Sequence, residues 1–350
     1  MRVTMKVNTR FYLKTKDNLF FAANSYHHPK THYIAFLRYI PHDDGDRILD
    51  GVKYKKVNST EAYGYLKRNH PDYLFEWKIE NKKMMGVLKE DVVEIYNPIL
   101  GLRKIREDRD KSPLYRKICL LSDTFHDYAG IDYEDMGVSG SCLIGLENET
   151  SDIDFIVFGL NEHRKAIEFY SIAKNDDDIC LDAIGDDYWE FVYDKRIKDD
   201  SMSLDEFKYY ESRKNNRGVI KNTLFDILLN RKDDEIDSDE DVVINQLEKI
   251  MIKCDIYDDS LSYDNPSTYR ISNVEFLEGR PRNIESIISF THTYTGIVKN
   301  NERVIASGVC EEYLDKDSGK KRYKLIIGTT RESINEYVKL ENCPIDKKIP

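Results

Sequence analysis

Two carboxylates flanking one apolar residue, Asp152-Ile153-Asp154, follow the pair Gly140-Ser141 after ten intervening residues. Carboxylates at alternate positions of a strand leave the same face, roughly 7 Å apart along the chain, and repel unless a cation lies between them. Mg²⁺ suits that gap, because carboxylates and the phosphates of a substrate together complete its octahedron. Gly140-Ser141 reads as a tight turn into a short helix. Its unpaired backbone N–H groups, with no Cβ at Gly140 in the way and the Ser141 hydroxyl alongside, suit the terminal phosphates of a nucleotide. The chemistry such a set can do is nucleotidyl transfer. The plainer alternative, an ordinary helix cap followed by a solvated strand edge, leaves the agreement of turn, spacing and carboxylate phase to chance.

These residues need a strand, a turn, a helix and a second strand to position them. Residues 136–139 can close the first strand, and Leu143, Ile144 and Leu146 supply the apolar side of the helix. A polar loop at 147–151 then leads into β-forming residues 155–158, followed by a helix at 162–173 and an acidic turn at 176–178.

The pattern resembles that of the DNA polymerase β-like nucleotidyltransferases, in which a hydrophobic-Gly-Ser element precedes Asp-hydrophobic-Asp. The resemblance covers roughly residues 118–232. It implies an α/β core with a mixed sheet and two Mg²⁺ or Mn²⁺ ions held by Asp152, Asp154 and a third carboxylate. It places Gly140 and Ser141 at the phosphates of a nucleoside triphosphate such as ATP. The third carboxylate is expected on a later strand, where it completes the metal site and takes the proton of the attacking hydroxyl. Asp226, in Thr-Leu-Phe-Asp-Ile-Leu-Leu, is the first choice, and Asp182, in Ile-Cys-Leu-Asp-Ala-Ile, is the second. Three cations just before Asp226, namely Arg213, Lys214 and Arg217, end a helix expected from residue 204 and could neutralise triphosphate charge. A solvated helix end carries such cations equally well, for its dipole.

At 350 residues with 40% hydrophobic content the chain can bury more than one core. The reading is α+β. A basic β-rich domain spans 1–100, a charged linker helix 101–117, the catalytic domain 118–232, and a β-rich domain 242–335. In the first domain, strands are expected at 11–13, 19–23, 33–40 and 54–57 and a capped helix at 59–69. In the last, strands at 249–256, 268–276, 289–298, 303–313 and 322–327 are compatible with a small antiparallel barrel, the oligonucleotide-binding kind among them. The acidic run 233–241 marks a boundary, and 315–319 reads as a hairpin turn. This whole arrangement is similar to archaeal proteins described as predicted nucleotidyltransferases.

No apolar run approaches the roughly 20 residues that cross a bilayer. Six cysteines at scattered positions (Cys119, Cys142, Cys180, Cys254, Cys310, Cys343) imply free thiols and a cytoplasmic setting. The formal charge of −11 is uneven: residues 1–117 carry 24 Lys and Arg against 15 Asp and Glu. A polyanion partner for that basic third follows, and Arg38, Lys53, Lys55 and Lys56 interleave with tyrosines as single-stranded nucleic-acid surfaces do. His27, His28, His32 and His42 are a weak metal candidate beside the reading as polar turns. The leading acceptor is an RNA end. A small-molecule or protein hydroxyl is the alternative, and a catalytically inactive nucleotide- or RNA-binding regulator is a third reading.

Overall fold

The computed structural model describes residues 6–77, 80–237, 242–315, 318–329 and 333–345. It is mixed α+β, with three sheets and seven helices among the described residues. The chain divides into two compact units: Met1–Trp77, Lys82–Asp182 and Asn216–Ile236 form the first, and Lys78–Asn81, Ala183–Asn215 and Asp237–Pro350 the second. The segment 183–215, read from sequence as catalytic domain, thus belongs to the second unit.

The first unit begins with strands β1 (Tyr12–Thr15), β2 (Phe20–Ala23), β3 (His32–Pro41), β4 (Arg47–Leu49), β5 (Val52–Lys56), β6 (Leu74–Trp77), β7 (Lys82–Leu88) and β8 (Val92–Tyr96). They form one sheet in the order β4-β5-β3-β2-β1-β8, with β7 on another stretch of β3 and β6 beyond it. Helix α1 (Ser59–Asn69) starts in a capping box: Glu61 N–H donates to Asn58 Oδ1 at 2.9 Å, and Asn58 N–H donates to the Glu61 carboxylate at 2.9 Å.

Helices α2 (Pro98–Glu107) and α3 (Pro113–Ala129) replace the expected linker helix. Leu102, Ile105 and Tyr115 are buried with Ile118, Leu121 and Phe125, so this segment is core rather than connection. Its charges misled because they occupy the outward faces of two amphipathic helices. Strand β9 (Met136–Val138), helix α4 (Gly140–Ile144), strand β10 (Ile153–Phe158) and helix α5 (Leu160–Ala173) follow. Strands β11 (Arg217–Ile220) and β12 (Thr223–Asn230) complete a four-stranded sheet, order β11-β12-β10-β9, in which β10 and β12 run parallel.

The two faces of this sheet have different neighbours. Ile153, Phe155, Val157, Phe225 and Ile227 pack with α3 and α5. Ile156, Phe158 and Leu228 share a core with Leu13, Phe21, Leu37 and Val87 of the N-terminal sheet. Side-chain alternation therefore turns Asp154 and Asp226 toward the N-terminal sheet.

The second unit contains α6 (Asp186–Arg196), α7 (Leu204–Lys214), β13 (Val242–Asp258), β14 (Ser267–Glu278), β15 (Ile284–Ser289), β16 (Arg303–Leu314), β17 (Lys321–Ile327) and β18 (Tyr337–Leu340). The order β13-β14-β15-β17-β16 closes into a ring through β13–β16 pairing, and β18 adds to β16. β15 and β17 are parallel, which corrects the all-antiparallel expectation. The strand expected at 289–298 is also corrected, since β15 ends at Ser289 and a single 3₁₀ turn, His292–Tyr294, follows. Thr293, Tyr294, Ile297 and Val298 are buried there, so their composition reflects core packing without strand pairing. In the acidic run, Asp233–Glu235 is a 3₁₀ turn and 238–241 lie outside the described residues. Residues 316 and 317 of the expected hairpin turn also lie outside them, while β16 and β17 flank it as an antiparallel pair. No helix among the described residues is long and apolar enough to cross a membrane.

Candidate active site

Strand register assembles the site. Asp154 on β10 lies opposite Asp226 on the parallel β12, and Asp226 lies opposite Arg217 on the antiparallel β11. Neighbouring strands are about 4.8 Å apart, so these side chains form a row across one face. Asp152 is exposed just before β10, in phase with Asp154. Arg217 holds Asp226 with both ends of its fork: Nε donates to Oδ1, and Nη2 donates to Oδ2 at 2.6 Å. Burial, then the charges of Asp152 and Asp226, push the Asp154 carboxyl up to about 7, against the opposing pull of Arg10 and Arg38.

The turn holds Asp154 from behind. Ser139 N–H donates to the Asp154 carbonyl at 2.9 Å. Gly140 is left-handed (φ +64°), and a Cβ there would overlap Asp154 Oδ2. The missing side chain therefore makes room for the carboxylate itself, a correction to the reading in which it makes room for a phosphate. Gly140→Ala is expected to cost about 1–2 kcal/mol of stability, from strain at positive φ, and to displace Asp154. Urea unfolding checks this, and an unchanged midpoint would contradict it.

The loop after α4 is stapled to the N-terminal sheet. Arg47 Nη1 donates to the Leu146 carbonyl at 2.5 Å and to Ser151 Oγ at 3.3 Å. Ser141 Oγ donates to Ser151 Oγ at 3.2 Å, and Ser139 Oγ donates to the Arg10 carbonyl at 2.6 Å. Tyr12, Phe20, Tyr39 and Tyr54 pack on Leu143, Ile144 and Leu146.

Other residues singled out from sequence lie elsewhere. Asp182 bridges Val219 through its backbone, on the far edge of β11 from Asp226, and accepts the Tyr170 hydroxyl at its carbonyl at 2.9 Å. It is two strand spacings further from Asp154 than Asp226 is. The nucleotide-binding reading of Arg213, Lys214 and Arg217 is corrected by what each already holds. Arg213 pairs with Glu302 in the second unit, and Arg217 is engaged with Asp226. The Lys214 side chain is 1% exposed, and Nζ donates to Glu211 at 2.5 Å and to the His292 and Thr293 carbonyls at 3.1 and 2.7 Å. Lys214→Ala is expected to destabilise the second unit by about 3 kcal/mol, because it leaves Glu211 buried with a weaker partner set. Denaturant unfolding reads this, and a loss under about 1 kcal/mol would contradict it.

His28 accepts Ile34 N–H at Nδ1 (3.0 Å) and donates from Nε2 to the Val7 carbonyl (3.0 Å), and burial lowers it to about 4. It serves the N-terminal sheet as a neutral ring. Among the described residues, no group of three or more His, Cys, Asp or Glu side chains is gathered as a metal site.

No family model matches the chain, and no solved structure does. Over 348 residues it is 38% identical to the "Uncharacterized protein MJ1086" of Methanocaldococcus jannaschii, covering 96% of this chain and 100% of that protein. The chain belongs to the MJ1086 family. In this MJ1086 relative the site also includes residues that sequence reasoning passed over: Arg10, Tyr12 and Arg47. Their only signal was the basic, tyrosine-rich composition of the first third, which says nothing about facing.

Proposed function

We propose that the chain is a metal-dependent nucleotidyltransferase that passes a nucleoside monophosphate from a nucleoside triphosphate to an acceptor hydroxyl and releases pyrophosphate. The observation that supports this most is the register that sets Asp154 beside Asp226, with Gly140 backed against the Asp154 carboxylate. The donor set fits Mg²⁺ or Mn²⁺: Asp152 and Asp154 offer hard oxygens on one face, and the Asp154 carboxyl, raised by burial first and by the charges of Asp152 and Asp226 second, is a place where a cation offsets the cost of ionisation. Two such ions, held by Asp152 and Asp154 with Asp226 at the edge of the site, would neutralise charge on the reacting phosphates.

The chain's own residues do the rest in this reading. Asp226, oriented by Arg217, accepts the acceptor's proton as its oxygen bonds to the α-phosphorus. The bond from that phosphorus to the bridging oxygen breaks, and pyrophosphate leaves with the electron pair. Gly140 and Ser141 offer backbone N–H groups at the first turn of α4, which no side chain caps. The four-stranded sheet is then a polymerase β-like core. The closed ring β13-β14-β15-β17-β16 is compatible with an oligonucleotide-binding barrel, and on that ground an RNA end is the leading acceptor.

A second reading, transfer to a small-molecule or protein hydroxyl, is favoured by one observation. Lys55 is paired with Glu61 at 3.0 Å and Lys53 donates to the Asp43 carbonyl at 3.2 Å, so the expected nucleic-acid stripe is partly spent. An inactive regulator has no use for two adjacent repelling carboxylates. The test is to incubate the full chain with each α-labelled ribonucleoside triphosphate, Mg²⁺ or Mn²⁺ and a total cell extract, then separate RNA, protein and small molecules. Label in one fraction is expected. No label from any nucleotide would overturn the reading.

A further inference from the structure

The carboxylate face of the sheet is covered by the N-terminal sheet, and cations of that sheet point into the same space. Strand β3 carries a bulge at Arg38: Phe20 lies opposite Tyr39 and Phe21 opposite Leu37, leaving Arg38 as the extra residue. A bulge re-aims a side chain, and here Arg38 shares the face of Tyr39 and Tyr12, where its charge acts on both phenols and on Asp154. Lys56 pairs with Tyr39 across β3–β5 and so shares that face. Its amine interacts with Asp152, Asp154, Arg38 and Arg47.

Arg10 arrives from another direction. It holds a left-handed backbone (φ 68°), a conformation that costs an L-residue roughly 1 kcal/mol and persists where surroundings enforce it. Three bonds enforce it: Arg10 N–H to the Ala23 carbonyl (2.8 Å), Ser139 Oγ to the Arg10 carbonyl (2.6 Å), and Arg10 Nε to the Leu229 carbonyl (3.4 Å). The result is a guanidinium whose field reaches Asp154.

None of these three cations forms an ion pair among the described residues. Lys53 and Lys55, in the opposite phase of β5, do have partners. Cations without an ion pair beside the carboxylates of Asp152 and Asp154 suit two ligands of opposite sign, a divalent cation for the acids and a polyanion for the bases. Arg10, just before β1, and Arg38 on β3 are half-buried, and the N-terminal sheet packs directly on α4. A compact polyanion fits such a place better than a nucleic-acid backbone, which needs an open stripe.

We propose that Arg10, Arg38 and Lys56 form the triphosphate clamp of the site, so that the N-terminal sheet binds the phosphate chain of the nucleotide rather than an RNA strand. This rests on the nucleotidyltransferase reading for the identity of the nucleotide, while the clamp itself can be measured apart from it. The probe is inorganic tripolyphosphate, titrated into the full chain by calorimetry in metal-free buffer.

Tripolyphosphate is expected to bind the unaltered protein. Arg38→Gln and Lys56→Gln should each weaken it by roughly tenfold, as lost charge-assisted contacts do. Asp154→Asn should tighten it, since a repelling charge is removed. Lys56 is exposed, so Lys56→Gln keeps the test valid if Arg38→Gln fails to fold. No binding, binding by both cation variants as tight as that of the unaltered protein, or displacement by an equal concentration of a short RNA lacking a triphosphate would each overturn the proposal. Failure of label transfer with intact tripolyphosphate binding would overturn the enzymatic reading and leave the clamp standing.

Discussion

Asp154→Asn and Asp152→Asn are each expected to reduce nucleotidyl transfer by on the order of 10³-fold or more. Both substitutions keep side-chain shape and remove the charge that holds a divalent ion against the reacting phosphates. Asp154 should be the more sensitive position, because it is fixed on three sides. Its carbonyl accepts Ser139 N–H, its carboxylate lies against Gly140, and β12 presents Asp226 in register. Asp152 is exposed and outside β10, so its loss leaves the scaffold unaltered. Rates of pyrophosphate release by the purified variants check this, and either variant within tenfold of the parent would contradict the assigned roles.

The second large effect is on stability, and its sign follows from Asp154. The carboxyl sits at about 7 in the folded chain and near 3.9 when unfolded, so the folded state binds the proton more tightly. Such a group contributes stability that is fully present below about pH 4 and is lost as pH rises through 7. Metal-free protein should therefore lose on the order of a few kcal/mol between pH 4 and 8 from this site. Mn²⁺ competes with that proton, so it should raise the melting temperature at pH 8 and have little effect at pH 5. Asp154→Asn should flatten both responses. Melting curves across pH, with EDTA or Mn²⁺, make the measurement. A metal effect of equal size at pH 5 and pH 8, or one unchanged in Asp154→Asn, would contradict it.

How far the sequence carries toward this site depends on whether the information is local. Asp152 and Asp154 stand out because strand alternation and an apolar residue between them fix a shared face without tertiary knowledge. Asp226 stands out because an isolated charge in an apolar strand has few structural uses. The helices at 59–69 and 204–214 are marked by Asn58-Glu61 and Ser203-Glu206, which close capping boxes within four residues.

Non-local pairing hides the remainder. The parallel β15–β17 contact, the ring closure by β13–β16 and the capture of α6 and α7 by the second unit depend on residues far apart in sequence. Arg213 and Lys214 look like solvated helix-end cations, yet one is paired to Glu302 and the other is buried on Glu211. Conversely, Arg38 reads as one member of an exposed basic stripe, and a single-residue bulge opposite Phe20-Phe21 turns it inward. Gly140 is legible as a required glycine, but for the wrong neighbour: the space is filled by Asp154, fourteen residues on, which local turn chemistry does not reveal.

The most direct measurement is anomalous diffraction from crystals of the full chain grown with Mn²⁺ and a non-hydrolysable nucleoside triphosphate analogue. A manganese peak against the carboxylates of Asp152 and Asp154, with the analogue's phosphates running from it toward Arg10, Arg38 and Lys56, is the expected result. Manganese and nucleotide bound away from Asp152 and Asp154, or no manganese at saturating concentration, would contradict the account.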